Sequence, residues 1–227
     1  MQNLFKRLMP LIGLSILIAT GCDKEVNLHK GEETISSPTS VPLNVDLVHV
    51  ALHIEDKNMM SPVGDATPLF NNRGHTTIMA PRGHQVTLGE FNTVSGKADI
   101  TCTDYGTNVA MQFQGLIPNG VYSIWVLTFK LPGFHGTFDN LIGNGALGSI
   151  DGSENAFIAS SAGTASLSVT THAESLSLFG SVDNCLFSEY EVYLAVAYHL
   201  DNLTHGGTPG DPATWVVQFA FPFMGGF

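Results

Sequence analysis

Apolar and polar positions along most of this chain follow a period of two, so the elements the pattern predicts are β-strands. The strongest stretch is residues 109–130, VAMQFQGLIPNGVYSIWVLTFK. It reads as two apolar strands around Ile117-Pro118-Asn119-Gly120, where Pro118 presets φ, Asn119 tolerates the third position and Gly120 is free to take φ > 0. In the second strand Tyr122, Ile124 and Val126 share one face, and Val121, Trp125, Leu127 and Phe129 the other. Apolar side chains on both faces predict a central hairpin of a packed β domain.

Further strands follow the same rule. Residues 44–55 carry Val45, Leu47, His49, Ala51 and His53 on one face and Val48, Val50, Leu52 and Ile54 on the other. Residues 84–90 and 97–103 read as a strand pair, and residues 156–160 and 165–171 as strands around a turn at 161–163. Residues 176–180 form a short strand or turn. Residues 191–200, with Val192, Leu194, Val196 and Tyr198, read as a central strand. Residues 214–221 close the domain with Trp215, Val217, Phe219 and Phe221 on one face. Residues 57–83 and 131–155 lack periodicity and read as two long loops, where a functional site is expected. About nine or ten short strands with turn punctuation predict an all-β fold, an antiparallel β-sandwich or jelly roll.

Composition agrees. Of 227 residues, 44% are hydrophobic and 13% charged, enough apolar material for one sizeable core, and 24 Gly with 11 Pro suit many turns. No internal repeat is visible.

The N-terminus changes the picture. Lys6 and Arg7 precede an apolar run over residues 8–19, followed by Ala19-Thr20-Gly21-Cys22. Small residues before a Cys at this place resemble the lipobox of bacterial lipoproteins, with Ala19 where that family usually has Leu. The resemblance implies that Cys22 is acylated and becomes the first residue of the mature chain. The alternative is an ordinary signal peptide with a chance Cys. The apolar run is too short for a transmembrane helix. The expected organisation is a lipoprotein signal peptide at 1–21, a lipidated Cys with a flexible tether at 22–42, and a single β-sandwich at 43–227. Asp23-Lys24-Glu25 reads as a sorting signal or simply as solvated tether. The formal charge of −11 becomes two units more negative when Lys6 and Arg7 leave, which argues against nucleic acid and against polybasic binding to anionic lipid. The lipid on Cys22 would then hold the protein to the outward side of a bacterial membrane, with an envelope protein or glycan as candidate partner. Export places Cys102 and Cys185 in an oxidising compartment, where an even pair is most simply a disulfide; two buried free thiols are the alternative.

Few residues suggest chemistry. In His199-Leu200-Asp201 with His205, strand alternation puts His199 and Asp201 on one face, and His205 follows a short turn. Two imidazoles and a carboxylate form the ligand set of non-haem iron sites and also suit Zn or Cu, so a divalent metal is the candidate cofactor. The bland reading is a turn, for which Asp201-Asn202 and Gly206-Gly207 are suited. Asp139, Asp151 and Glu154, among Asn140, Asn144 and Asn155, offer oxygen ligands for Ca²⁺, although the EF-hand order is absent; Gly and Asn also serve a tight irregular loop. His49 and His53 lie about 13 Å apart on a strand, too far to share a metal. Met59, Met60, His75, Met79 and His84 could form a soft copper surface, or be incidental loop residues. Glu189 and Glu191 flank a strand and read as solvent-facing. Trp125, Trp215, Tyr122 and Tyr198 read as core, with a sugar-binding face as the alternative. Hydrolase elbows, P-loops and dinucleotide fingerprints are absent from the sequence.

The set GLIPNGVYSIW, GNGALGSIDGSENAFIAS and AYHLDNLTHGGTPG resembles an uncharacterised group of secreted bacterial β-sandwich proteins, over residues 88–221. That resemblance implies one extracytoplasmic β domain and no catalytic residue. The functional expectation is a membrane-anchored cell-envelope lipoprotein with a ligand-binding or structural role. A metal-binding protein or metal-dependent enzyme centred on His199, Asp201 and His205 is the first alternative, and a carbohydrate- or surface-binding module the second.

Overall fold

Residues 121–130 form the spine of the larger sheet, and the rest of the fold is placed against them. The computed structural model describes residues 43–103, 106–172 and 190–223. Among them run β1 (Leu43–Asp46), β2 (Val48–His49), β3 (Ile54–Glu55), β4 (Phe70–Asn71), β5 (Thr76–Thr77), the single-turn helix α1 (Leu88–Phe91), β6 (Ser95–Thr103), β7 (Gly106–Gln114), β8 (Val121–Lys130), β9 (Leu141–Ala146), β10 (Ala156–Ile158), β11 (Ala165–His172), β12 (Tyr190–His199) and β13 (Trp215–Phe223). A 3₁₀ turn at Pro212–Thr214 precedes β13. Among the described residues no helix is long and apolar enough to cross a membrane.

The fold is an all-β sandwich of antiparallel strands. One sheet has the order β1-β6-β7-β11, and the larger one β10-β8-β12-β13-β2, with β9 sharing the β10 edge of β8. A small sheet β3-β4-β5 flanks them. Ile100, Val109, Met111 and Phe113 of the first sheet meet Ile124, Val126, Leu194, Val196, Phe219 and Phe221 of the second in one buried cluster. Phe113 stacks on Phe157 at 5.1 Å and touches Phe219 and Phe221 at 5.5 and 6.1 Å, so it links the two layers. All of this core lies within one compact unit, Thr39–Phe227, which therefore has what it needs to fold by itself.

The predicted pairing of residues 109–130 as a hairpin is corrected. Its two strands belong to different sheets: β7 pairs with β6 and β11, and β8 with β12, β9 and β10. Gly115, at φ 71°, turns the chain across the sandwich through buried Leu116 and Ile117. A second crossing between β10 and β11 runs beside it. Leu116 N–H donates to Gly163 O at 2.9 Å, and Ala159 N–H to Gly120 O at 2.9 Å. The two strands are apolar where they face each other across the core, and that pattern does not distinguish face-to-face packing from edge pairing. Within the turn, Asn119 takes the positive φ of 62°. Gly120 is needed for closeness instead, since a Cβ there would lie 2.8 Å from the Tyr198 ring and 2.9 Å from Ile117 O.

Other expectations shift in detail. Residues 44–55 are not one strand but three short ones, each in a different sheet. Residues 88–91 form α1 rather than a strand, because Thr87 caps the turn by accepting from Glu90 N–H at 3.3 Å. In β13 the register slips opposite Val196/Ala197, where Gln218 is the extra residue. That bulge reverses parity, so Trp215 and Val217 face outward while Phe219 and Phe221 enter the core, not all four on one face. The 131–155 loop contains β9, and the 57–83 loop β4 and β5. Residues 176–180 and 189, like 1–42 with Cys22 and the tether, lie outside the described residues, as do Cys185 and the Cys102 side chain.

Candidate metal centre and adjoining pocket

Alternation along β12 sends Val192, Leu194, Val196 and Tyr198 into the core and presents Ala195, Ala197 and His199 on the outer face of the larger sheet. His199 ends the strand, paired with Val121 on β8 and Trp215 on β13, and is fully buried. Asp201 then starts a tight turn: its Oδ1 accepts from Leu203 N–H at 3.1 Å, and Asn202 takes φ 58°. The chain returns through His205, whose Nε2 lies 2.9 Å from Asp201 Oδ2. Gly210, at φ 83°, lies against the imidazole, where a Cβ would come within 2.5 Å of His205 Cδ2. The turn reading and the clustering reading are thus both met by the same residues.

His199, Asp201 and His205 each offer a ligand atom, and the three atoms lie within 4.8 Å of one another. The two imidazoles sit 5.9 Å apart, centroid to centroid. Behind His199 runs a short polar chain. Trp125 Nε1–H donates to Ser123 Oγ at 2.7 Å, and that oxygen lies 2.7 Å from His199 Nε2. His199 Nδ1 is buried without a hydrogen-bond partner. Burial pushes the His199 pKa down to about 4, with His205 acting in the same direction and Asp201 opposing. The ring is therefore neutral at pH 7, the form that ligates a metal.

The other candidates do not converge. Among the described residues no second group of three ligand side chains forms. Asp139 lies 3.4 Å from His135, Asp151 accepts from Ser153 N–H at 3.0 Å, and Glu154 accepts from Ser149 N–H and Oγ–H at 2.9 and 2.7 Å. Each carboxylate therefore closes its own turn. Of the residues read as a copper surface, His75 pairs with Glu55 at 2.6 Å and His84 with Glu90 at 3.0 Å. Glu191 is buried, not solvent-facing: its Oε2 accepts from Phe134 N–H at 2.8 Å and anchors the loop after β8.

Beside the cluster, on the same face, lies a pocket of about 410 Å³ that the sequence pattern did not single out. Small Ala195 and Ala220 form its floor, and Trp125, Phe129, Phe134 and Trp215 stand around it. Tyr122 and Tyr198 are core, as expected, but the two Trp side chains line this pocket. The signal was present in EVYLAVAYHL, where the face opposite Val192, Leu194, Val196 and Tyr198 carries two consecutive small residues, Ala195 and Ala197, between Tyr193 and His199. At the rim the Arg73 guanidinium stacks over the Trp215 ring at 3.9 Å and contacts His53 Nε2. Val217 N–H donates to His53 Nδ1 at 3.2 Å. Burial, then the Arg73 charge, lowers the His53 pKa to about 4. No protein-family model matches the chain, and no curated protein is significantly similar to it.

Proposed function

We propose that this chain is an exported, lipid-anchored envelope lipoprotein whose β-sandwich binds a divalent first-row metal through His199, Asp201 and His205. The observation that carries the reading is the convergence of these three side chains to within 4.8 Å, although a turn separates them in sequence. A fully buried imidazole with an unpartnered Nδ1 supports it, because an orphaned buried polar atom is costly unless something binds it. Ser123 at Nε2 supplies the outer support that orients a ligating ring. Two imidazoles and one carboxylate leave coordination positions open, which suits Zn, Fe or Cu. The signal-like N-terminus supports export and anchoring through Cys22.

The test is metal content by mass spectrometry on Thr39–Phe227 purified without chelator. The expected result is stoichiometric metal, lost in His199→Ala/His205→Ala. Wild-type protein that arrives metal-free, and is not stabilised by added Zn²⁺, Fe²⁺ or Cu²⁺, would sink the metal reading. Cys22→Ser in the full chain should move the protein from the membrane fraction to the soluble one.

A further inference from the structure

The pocket beside the histidine cluster combines features that define a ligand class. Its walls are aromatic and its floor is alanine, so it takes an apolar body. At about 30 Å³ per non-hydrogen atom, the share of one water in the liquid, 410 Å³ holds roughly 14 such atoms. Glu191 holds the backbone of Phe134 at one wall, and Gly133 fits there because it lacks a Cβ, which would overlap the Glu191 carboxylate. The pocket is thus built by ordered contacts and not by loose side chains.

Arg73 is the one Lys or Arg side chain in the lining. No carboxylate of a described residue lies within 4.0 Å of it; its guanidinium lies over the Trp215 ring and beside His53 instead. A half-buried cation beside an apolar pocket, without an acidic partner, favours an anion as the missing neighbour. The surroundings argue against two other classes. A cationic ligand would meet Arg73 directly. A sugar would find few hydrogen-bonding groups, since Trp125 Nε1–H is already given to Ser123, and Trp215 Nε1, although unpartnered, is buried away from the pocket surface.

We propose that this pocket binds a small amphipathic carboxylate, its apolar body against Trp125, Phe129 and Trp215 and its carboxylate on Arg73. The inference goes beyond the metal reading and does not rest on it, because no ligand of the candidate metal lines the pocket.

Both tryptophans of the chain line the pocket, so intrinsic fluorescence reports its occupancy without a label. Metal-stripped Thr39–Phe227 is titrated with dodecanoate, dodecanol, dodecylamine and 1-naphthylacetate. At least one of the two acids should give a saturable change, roughly tenfold or more tighter than the alcohol and tighter still than the amine, as expected for a hydrogen bond to a charged group. The tighter acid identifies the body as chain or ring. Arg73→Gln should remove the preference for acid over alcohol, and Arg73→Lys should keep part of it. Ala195→Leu should weaken every ligand by filling the floor. Equal binding of acid, alcohol and amine by the wild type would overturn the proposal, as would an acid preference that survives Arg73→Gln, or no saturable change with any probe. Stripping the metal first separates this outcome from that of the metal-content measurement.

Discussion

At the residue scale, a metal held by the unpartnered Nδ1 of His199 would leave the ring proton on Nε2, where Ser123 Oγ would accept it as it accepts from Trp125 Nε1–H. Ser123→Ala should therefore weaken metal binding by roughly 10–100-fold, measured by competition with a chelator, with little change in fold. His53 sets a pH dependence. Its pKa is about 4 folded and 6.5 in the unfolded chain, so between these values the unfolded state holds a proton that the native state lacks. Stability is full above pH 6.5 and falls as the pH drops toward 4. Protonation would also break the bond from Val217 N–H to Nδ1 and place a cation beside Arg73, the charged group that faces it. Arg73→Gln should raise the His53 pKa and make the acid loss shallower, read from denaturant midpoints across that range; an unchanged profile would refute the assignment. Asn71 is fully buried, donates from Nδ2 to Pro212 O and Trp215 O at 2.9 and 3.1 Å, and accepts from Arg73 N–H at 2.9 Å. Asn71→Ala leaves those groups unpaired and should cost about 2 kcal/mol or more in equilibrium unfolding.

At the scale of elements, the site depends on how turns are held. Asn71 joins the small sheet to the start of β13, which sets Arg73 over Trp215. The loop after β9 is packed on the His205 loop: a Cβ at Gly152, itself at φ 75°, would lie 2.0 Å from Gly206 O. Gly152→Ala should therefore displace the His205 turn, lowering both the melting temperature and the metal content although no ligand is touched. Strand existence was legible here and strand partnership was not. β8 and β12 are rich in Val, Ile, Tyr and Phe and lie in the middle of the sheet, where apolar residues on both faces put them. The hairpin expected around Gly120 instead crosses between sheets, because the period-two pattern records which side chains are buried and not which strand edge satisfies the backbone. The bulge opposite Val196/Ala197 is equally silent in the sequence, yet it decides that Trp215 lines a pocket and Phe219 a core.

For the whole molecule, stability rests on one core shared by both sheets. Phe113 touches three other aromatic rings across it, and Phe113→Ala should cost about 3–5 kcal/mol, measured by denaturant unfolding. By itself the sequence determined the all-β class, the long strands β7, β8, β11, β12 and β13 but not β9, and His199, Asp201 and His205 as the candidate ligands, because burial periodicity and side-chain chemistry are local properties. Only the tertiary structure decided that those three side chains meet, that Asp139, Asp151 and Glu154 do not, and that a pocket opens on the outer face of the larger sheet. Those outcomes depend on how loops return and which sheets strands join, and these follow from packing between residues far apart in the chain.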